Sequence, residues 1–193
     1  MTDMKDVYLR IGSLLYIMEN SKSKTVGRTA AMKYQYLLQT VKKVHLGYDF
    51  RLYYYGPFSQ EVLNDIDYAE SLGVLKTEVV YYASGYGYKI SPGAAAQGFM
   101  EKASEVIAPD KDKLDWLVGE FEGKSAAELE LIGTAVYIDR NAGKAEQIIS
   151  INDICSSIKR IKPRFDLDAI RKTVSELLEK KVFVAVRNNN LAT

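Results

Sequence analysis

The spacing of apolar residues changes three times within the first ninety positions, and this succession restricts the fold more than any other feature. Val7, Ile11, Leu14, Leu15 and Met18 recur at helical spacing until the polar run Asn20-Ser21-Lys22-Ser23-Lys24, which predicts a helix over 4–20. A second stripe, Tyr34, Leu37, Leu38, Val41 and Val44, predicts a helix over 28–46 that stops at Gly47. The segment Tyr48 to Tyr55 is then short and aromatic, a predicted strand closed by a Gly56-Pro57 turn. Ser59 stands where it can cap a third helix, with Val62, Leu63, Ile66, Ala69 and Leu72 as its apolar face and Gly73 at its end. Val74 to Tyr82 and the alternating Tyr86, Tyr88 and Ile90 flank Ala83-Ser84-Gly85, predicting a β-hairpin.

Helix, helix, short strand, helix and hairpin is the order of a winged-helix unit, expected here over 1–98. Residues 99–193 are expected to form a helical region. Its apolar stripes run from Phe99 to Ile107, Leu114 to Phe121, Leu129 to Tyr137, Ile151 to Ile161 and Leu167 to Val182, and Asn188-Asn189-Asn190 reads as a frayed tail. The predicted fold is α+β and mostly helical, with the winged-helix-like unit packed on the helical region as one compact body.

Composition removes several kinds of chemistry. With one histidine, His45, and one cysteine, Cys155, the chain can form neither an internal disulfide nor a Cys/His zinc site, so no metal is expected. Cys155 lies within an apolar helical stripe and reads as a buried small hydrophobe; His45, beside Lys42 and Lys43, reads as a cation at a helix C-terminus. Gly85-Tyr86-Gly87-Tyr88 lacks the following helix and the Lys-Ser/Thr pair of a phosphate loop, so no nucleotide cofactor is expected. The pairs Asp65/Asp67, Asp110/Asp112 and Asp166/Asp168 are two residues apart, which on a helix separates their faces. No catalytic residues are assigned. No uncharged apolar run approaches the roughly 18 residues of a membrane span, and Asp3 and Asp6 beside Lys5 do not make a leader, so the expected compartment is the cytoplasm.

Three stretches carry a resemblance: Lys33-Tyr34-Gln35-Tyr36-Leu37-Leu38, then Phe50 to Ser59 continuing through Leu63-Asn64-Asp65-Ile66 to Gly73-Val74-Leu75, and Tyr88-Lys89-Ile90-Ser91-Pro92-Gly93. Together with Glu130 to Tyr137 and Ile161-Lys162-Pro163-Arg164-Phe165, they resemble the YwgA-like proteins and, more distantly, the Panacea antitoxin domain with its SocA-like antitoxins. The resemblance implies a small protein that neutralises a toxin by protein contact. It brings no catalytic residues.

Local charge sharpens the functional reading, because the net charge of +1 gives no global footprint for a polyanion. Glu61, Asp65, Asp67 and Glu70 give the predicted third helix four carboxylates and no Lys or Arg, which opposes insertion into a DNA groove. Nine of the 14 tyrosines fall between Tyr48 and Tyr88. Tyrosine suits a protein interface, although stacked bases and half-buried strand positions use it too. The leading expectation is therefore a non-enzymatic interaction protein, antitoxin-like or regulatory, that meets a basic partner through Tyr53, Tyr55, Phe58, Glu61, Asp65 and Glu70. The rival is a winged-helix nucleic-acid-binding regulator that contacts phosphate through Lys76, Lys89, Lys159, Arg160, Lys162 and Arg164. A homo-oligomer fits either reading.

Overall fold

The computed structural model describes residues 3–83 and 85–187. The fold is α+β and mostly helical, in two compact units. The first comprises residues 1–51 and 58–126, the second residues 52–57 and 127–193. The asparagine run expected to fray lies outside the described residues.

In the first unit, α1 (Met4–Asn20) buries Ile11, Leu14, Leu15 and Met18, the residues whose spacing predicts it. Asp3 caps it by accepting from the Lys5 N–H at 3.1 Å. The next helix, α2 (Arg28–Thr40), is six residues shorter than its apolar stripe suggests. Lys43 turns into the left-handed region (φ 59°), and the Val44 N–H reaches back to the Leu38 carbonyl at 3.2 Å, closing the helix end. Beyond that point Val44, Leu46 and Tyr48 are buried while His45, Gly47 and Asp49 are exposed, so Val44 belongs to an alternating segment. His45 consequently stands after the helix.

The predicted aromatic strand is reduced to β2 (Arg51–Tyr53), which pairs with β3 (Gly56–Phe58); Tyr54-Tyr55 form the turn where Gly56-Pro57 was expected. Helix α3 (Gln60–Ser71) follows, but the Ser59 hydroxyl accepts no backbone bond and lies 3.4 Å from Glu61 instead. Gly73, at φ 67°, lets the Val74 N–H return to the Ala69 carbonyl at 2.9 Å and ends the helical turn. The expected hairpin forms, β4 (Leu75–Tyr82) antiparallel to β5 (Gly85–Pro92), with Gly85, expected in the turn, paired to Tyr82.

The third strand of that sheet is β1 (Val26–Gly27), paired to Ile90 and Lys89, giving the order β1-β5-β4. Two residues are too few to show a period, which is why the sequence hides β1. The strand that joins the hairpin is thus Val26–Gly27, between α1 and α2, and not the aromatic segment between α2 and α3, whose β2 pairs with β3 alone.

Helices α4 (Ala96–Ile107) and α5 (Lys111–Phe121), joined by a 3₁₀ turn at Ala108–Asp110, belong to this unit as well, so its boundary falls near 126 and not near 98. Gly12 of α1 explains the attachment: a Cβ there would stand 2.9 Å from the Ala103 Cβ, so only glycine allows this approach of α4.

The second unit contains α6 (Ala126–Lys144, from its second residue), β6 (Ile149–Ser150), α7 (Ile151–Ile161), α8 (Leu167–Glu179) and β7 (Val186–Arg187). Ser150 and Asp153 form a reciprocal capping box at the start of α7, which stops before Pro163 as its stripe predicts. Helix α8 ends earlier than expected. Lys181 turns left-handed (φ 54°) and the Val182 N–H returns to the Leu177 carbonyl at 3.0 Å, so Val182 packs from beyond the helix. Strand β7 then runs parallel to β6, its chain held by Asp139, whose fully buried carboxylate accepts the N–H groups of Val184, Ala185 and Val186 at 2.8–3.1 Å.

Candidate functional site

The second unit holds a tyrosine turn above a buried ionic cluster. Helix α6 is buried from Leu129 to Val136, and Glu130, near the start of that stretch, is buried with it. Lys162 follows Ile154 and Ile158 at spacings of eight and four, which places it on the buried stripe of α7 as that helix ends. The Lys162 ammonium approaches Glu130 to 3.1 Å as an ion pair, and the Arg164 guanidinium donates to the other carboxylate oxygen. Lys162 also donates to the carbonyls of Tyr53, at 3.3 Å, and Tyr54.

One buried ammonium thereby ties the turn backbone to a buried carboxylate. The tyrosine side chains above it remain in solvent: Tyr53 is 69%, Tyr54 72% and Tyr55 57% exposed. They are not loose. Tyr54 and Tyr55 meet edge to face at 5.0 Å, and Arg164 stands 5.6 Å from the Tyr55 ring and 4.9 Å from the Phe165 ring. Two cations against one carboxylate leave the cluster with a net positive charge beside the rings.

This arrangement corrects the expectation for the basic group. Lys162 is 4% exposed and cannot meet phosphate, Arg164 is engaged by Glu130, and Lys159 donates to the carbonyls of Pro163 and Phe165 at 2.9 and 2.7 Å. Arg160 is exposed, as are Lys159 and Arg164 beside the groups that engage them. On the wing, Lys76 pairs with Glu78 at 2.7 Å and Lys89 stands opposite Glu78 in the ladder, so their charge is largely offset.

The acidic helix of the first unit is likewise turned to internal use. Asp65, mostly buried, accepts from the Tyr48 hydroxyl at 2.8 Å and faces Arg10 at 3.1 Å. Burial raises the Asp65 carboxyl above the ordinary range against the pull of the Tyr48 hydrogen bond and Arg10, and burial, then Asp65, pushes the Tyr48 phenol well up. Glu61 accepts the Asp49 N–H at 3.1 Å, Asp67 pairs with Arg28 at 2.9 Å, and Glu70 accepts the Thr77 N–H at 3.0 Å. Asp65 therefore leaves the candidate surface, Glu61 and Glu70 anchor neighbouring backbone, and Phe58 is half-buried.

Of the six expected partner residues, Tyr53 and Tyr55 are the two exposed aromatic side chains. The buried pair Glu130 and Lys162 that holds their turn was not read from the sequence as a site, although the position of Lys162 on the α7 stripe was the signal. Cys155 is buried, as its stripe predicts, and burial pushes its thiol up. Among the described residues no group of three His, Cys, Asp or Glu is placed to hold a metal ion, and no helix is long and apolar enough to cross a membrane. No protein-family model matches the chain, and no curated protein is similar to it.

Proposed function

We propose that this protein is a non-enzymatic interaction module, antitoxin-like or regulatory, that works in the cytoplasm by binding a protein partner through the Tyr53–Tyr55 turn. The observation that carries the reading is the pairing of exposed rings with a backbone fixed from below by Lys162 and Glu130. Rigid, exposed tyrosines beside an arginine bury large area at little entropic cost, which is the composition of an interface hot spot. A turn held in advance also lowers the ordering cost of association. The resemblance to the Panacea domain agrees in kind, since it implies function by contact. Duplex binding through α3 is disfavoured because that helix carries no cation and its exposed Glu61, Asp67 and Glu70 would meet the phosphates with like charge.

The test is quantitative affinity capture from host cells with the unmodified protein and with Tyr53→Ser, Tyr54→Ser and Tyr55→Ser combined. The expected result is one stoichiometric protein partner, lost with the triple variant while its thermal unfolding stays within a few degrees of the parent. Capture of the same partner by both proteins, or of nucleic acid in place of protein, would overturn the proposal.

A further inference from the structure

The three-stranded sheet ends on β4, and its outer edge has a definite hydrogen-bonding pattern. Val74 accepts from the Gly93 N–H, and Tyr82 faces Gly85 across a two-residue loop, so even-numbered residues of β4 direct their backbone groups toward β5. The Thr77 N–H points the other way, into the Glu70 carboxylate at 3.0 Å. Leu75, Thr77, Val79 and Tyr81 are therefore the outward positions. Glu70 satisfies the donor at Thr77, whereas among the described residues nothing accepts from the N–H groups of Val79 and Tyr81.

The same two residues share a second property. Along β4, Leu75, Thr77, Val79 and Tyr81 line the face that packs the core, where Leu75 and Ile90, the cross-strand partner of Thr77, are buried. Toward the tip the hairpin outruns that core, leaving Val79 49%, Tyr81 82% and, opposite it, Tyr86 66% exposed. An open strand edge flanked by an apolar strip is a template for another strand.

We propose that this edge pairs with β4 of a second copy of the chain, antiparallel, about a two-fold axis at Val80. This register sets Val79 against Tyr81 of the second copy and Tyr81 against its Val79, so the open groups at both positions exchange hydrogen bonds. Thr77, already satisfied, falls outside the paired stretch. Glu78 meets Tyr82 of the second copy, a carboxylate before a phenol, and no like charges are set opposite. On the apolar face Val79 lies beside a tyrosine ring in both halves, and the sheet becomes six-stranded, β1-β5-β4-β4-β5-β1. The self-complementary order of outward groups selects a second copy as occupant. The pairing involves the wing alone and does not depend on the tyrosine-turn reading.

Sedimentation velocity from low-micromolar to several hundred micromolar protein is expected to show a reversible monomer–dimer equilibrium. Val79→Pro removes an outward donor without touching the ladder to β5, and should weaken dimerisation at least tenfold with an unchanged circular dichroism spectrum; Tyr81→Lys should act in the same direction. A positive test uses Cys155→Ala as background. Val80→Cys places the two introduced thiols at a non-hydrogen-bonded pair with Cα atoms about 4.5 Å apart, within disulfide reach, so mild oxidation should give a covalent dimer, whereas Thr77→Cys should not. A parent that stays monomeric throughout, a dimer unaffected by both edge variants, or equal crosslinking of the two cysteine variants would overturn the proposal.

Discussion

Lys162 is a buried cation of the second unit on which the tyrosine turn depends. Its ammonium serves a buried carboxylate and two backbone carbonyls together, so a methionine in its place would leave Glu130 with its Arg164 partner and remove the donation to both turn carbonyls. Removing one partner of a buried pair costs about 3–5 kcal/mol, and Lys162→Met is expected to lower the denaturant-unfolding stability by that order. Exposed Lys76→Ala should leave the midpoint where it is. Cys155→Ala should cost only about 1 kcal/mol, and the native thiol should label slowly, because it is buried and its pKa is raised. A further residue-scale expectation concerns Tyr34, whose phenol is pushed up to about 12 by burial and then by Glu122. A group with a raised folded pKa stabilises fully below its unfolded value near 10 and loses that contribution as pH rises through about 12. Denaturant midpoints followed across that window should therefore fall less steeply for Tyr34→Phe than for the parent.

At the scale of elements, two glycines make a matched test of the wing root. A Cβ on Gly93 would lie 2.3 Å from the Gly73 carbonyl oxygen and 3.2 Å from the Leu75 carbonyl carbon, both rigid backbone, whereas one on Gly119 in α5 meets nothing within 4 Å. Gly93→Ala is expected to destabilise by about 1–3 kcal/mol or more, and Gly119→Ala to stabilise by about 0.5–1 kcal/mol, both read from thermal unfolding. The helices and the long hairpin were legible in the sequence because their apolar residues repeat over three turns or several strand pairs. Strands of two or three residues, β1, β6 and β7, carry no such repeat. The ends of α2 and α8 were overrun because Lys43 and Lys181 adopt a left-handed backbone without being glycine, and the following Val44 and Val182 happen to fall on the helical stripe. The candidate turn was visible as a run of tyrosines. What holds it was not, since Glu130 and Lys162 are 32 positions apart in the chain and Lys162 reads there as one of a basic group able to contact phosphate.

For the whole molecule, the charges that look most functional in the sequence are largely spent internally. Four carboxylates on α3 are matched by Arg10, Arg28 and two backbone N–H groups, and three of the four cations at the end of α7, Lys159, Lys162 and Arg164, are matched by Glu130 and the carbonyls of Pro163 and Phe165. With a net charge of +1 and these groups engaged, duplex DNA should bind weakly, and whatever binding occurs should vanish between low and physiological salt in an anisotropy titration. Charge reversal at Asp65 would disturb the Arg10–Tyr48 network, so it does not report on a surface. The central claim, that Tyr53–Tyr55 meets a protein, is tested most directly by photocrosslinking in host cells with p-benzoylphenylalanine in place of Tyr55. The account predicts one discrete adduct whose added mass is protein and which is absent when the probe replaces exposed Glu179; no adduct at position 55, or one that is nucleic acid, would contradict it.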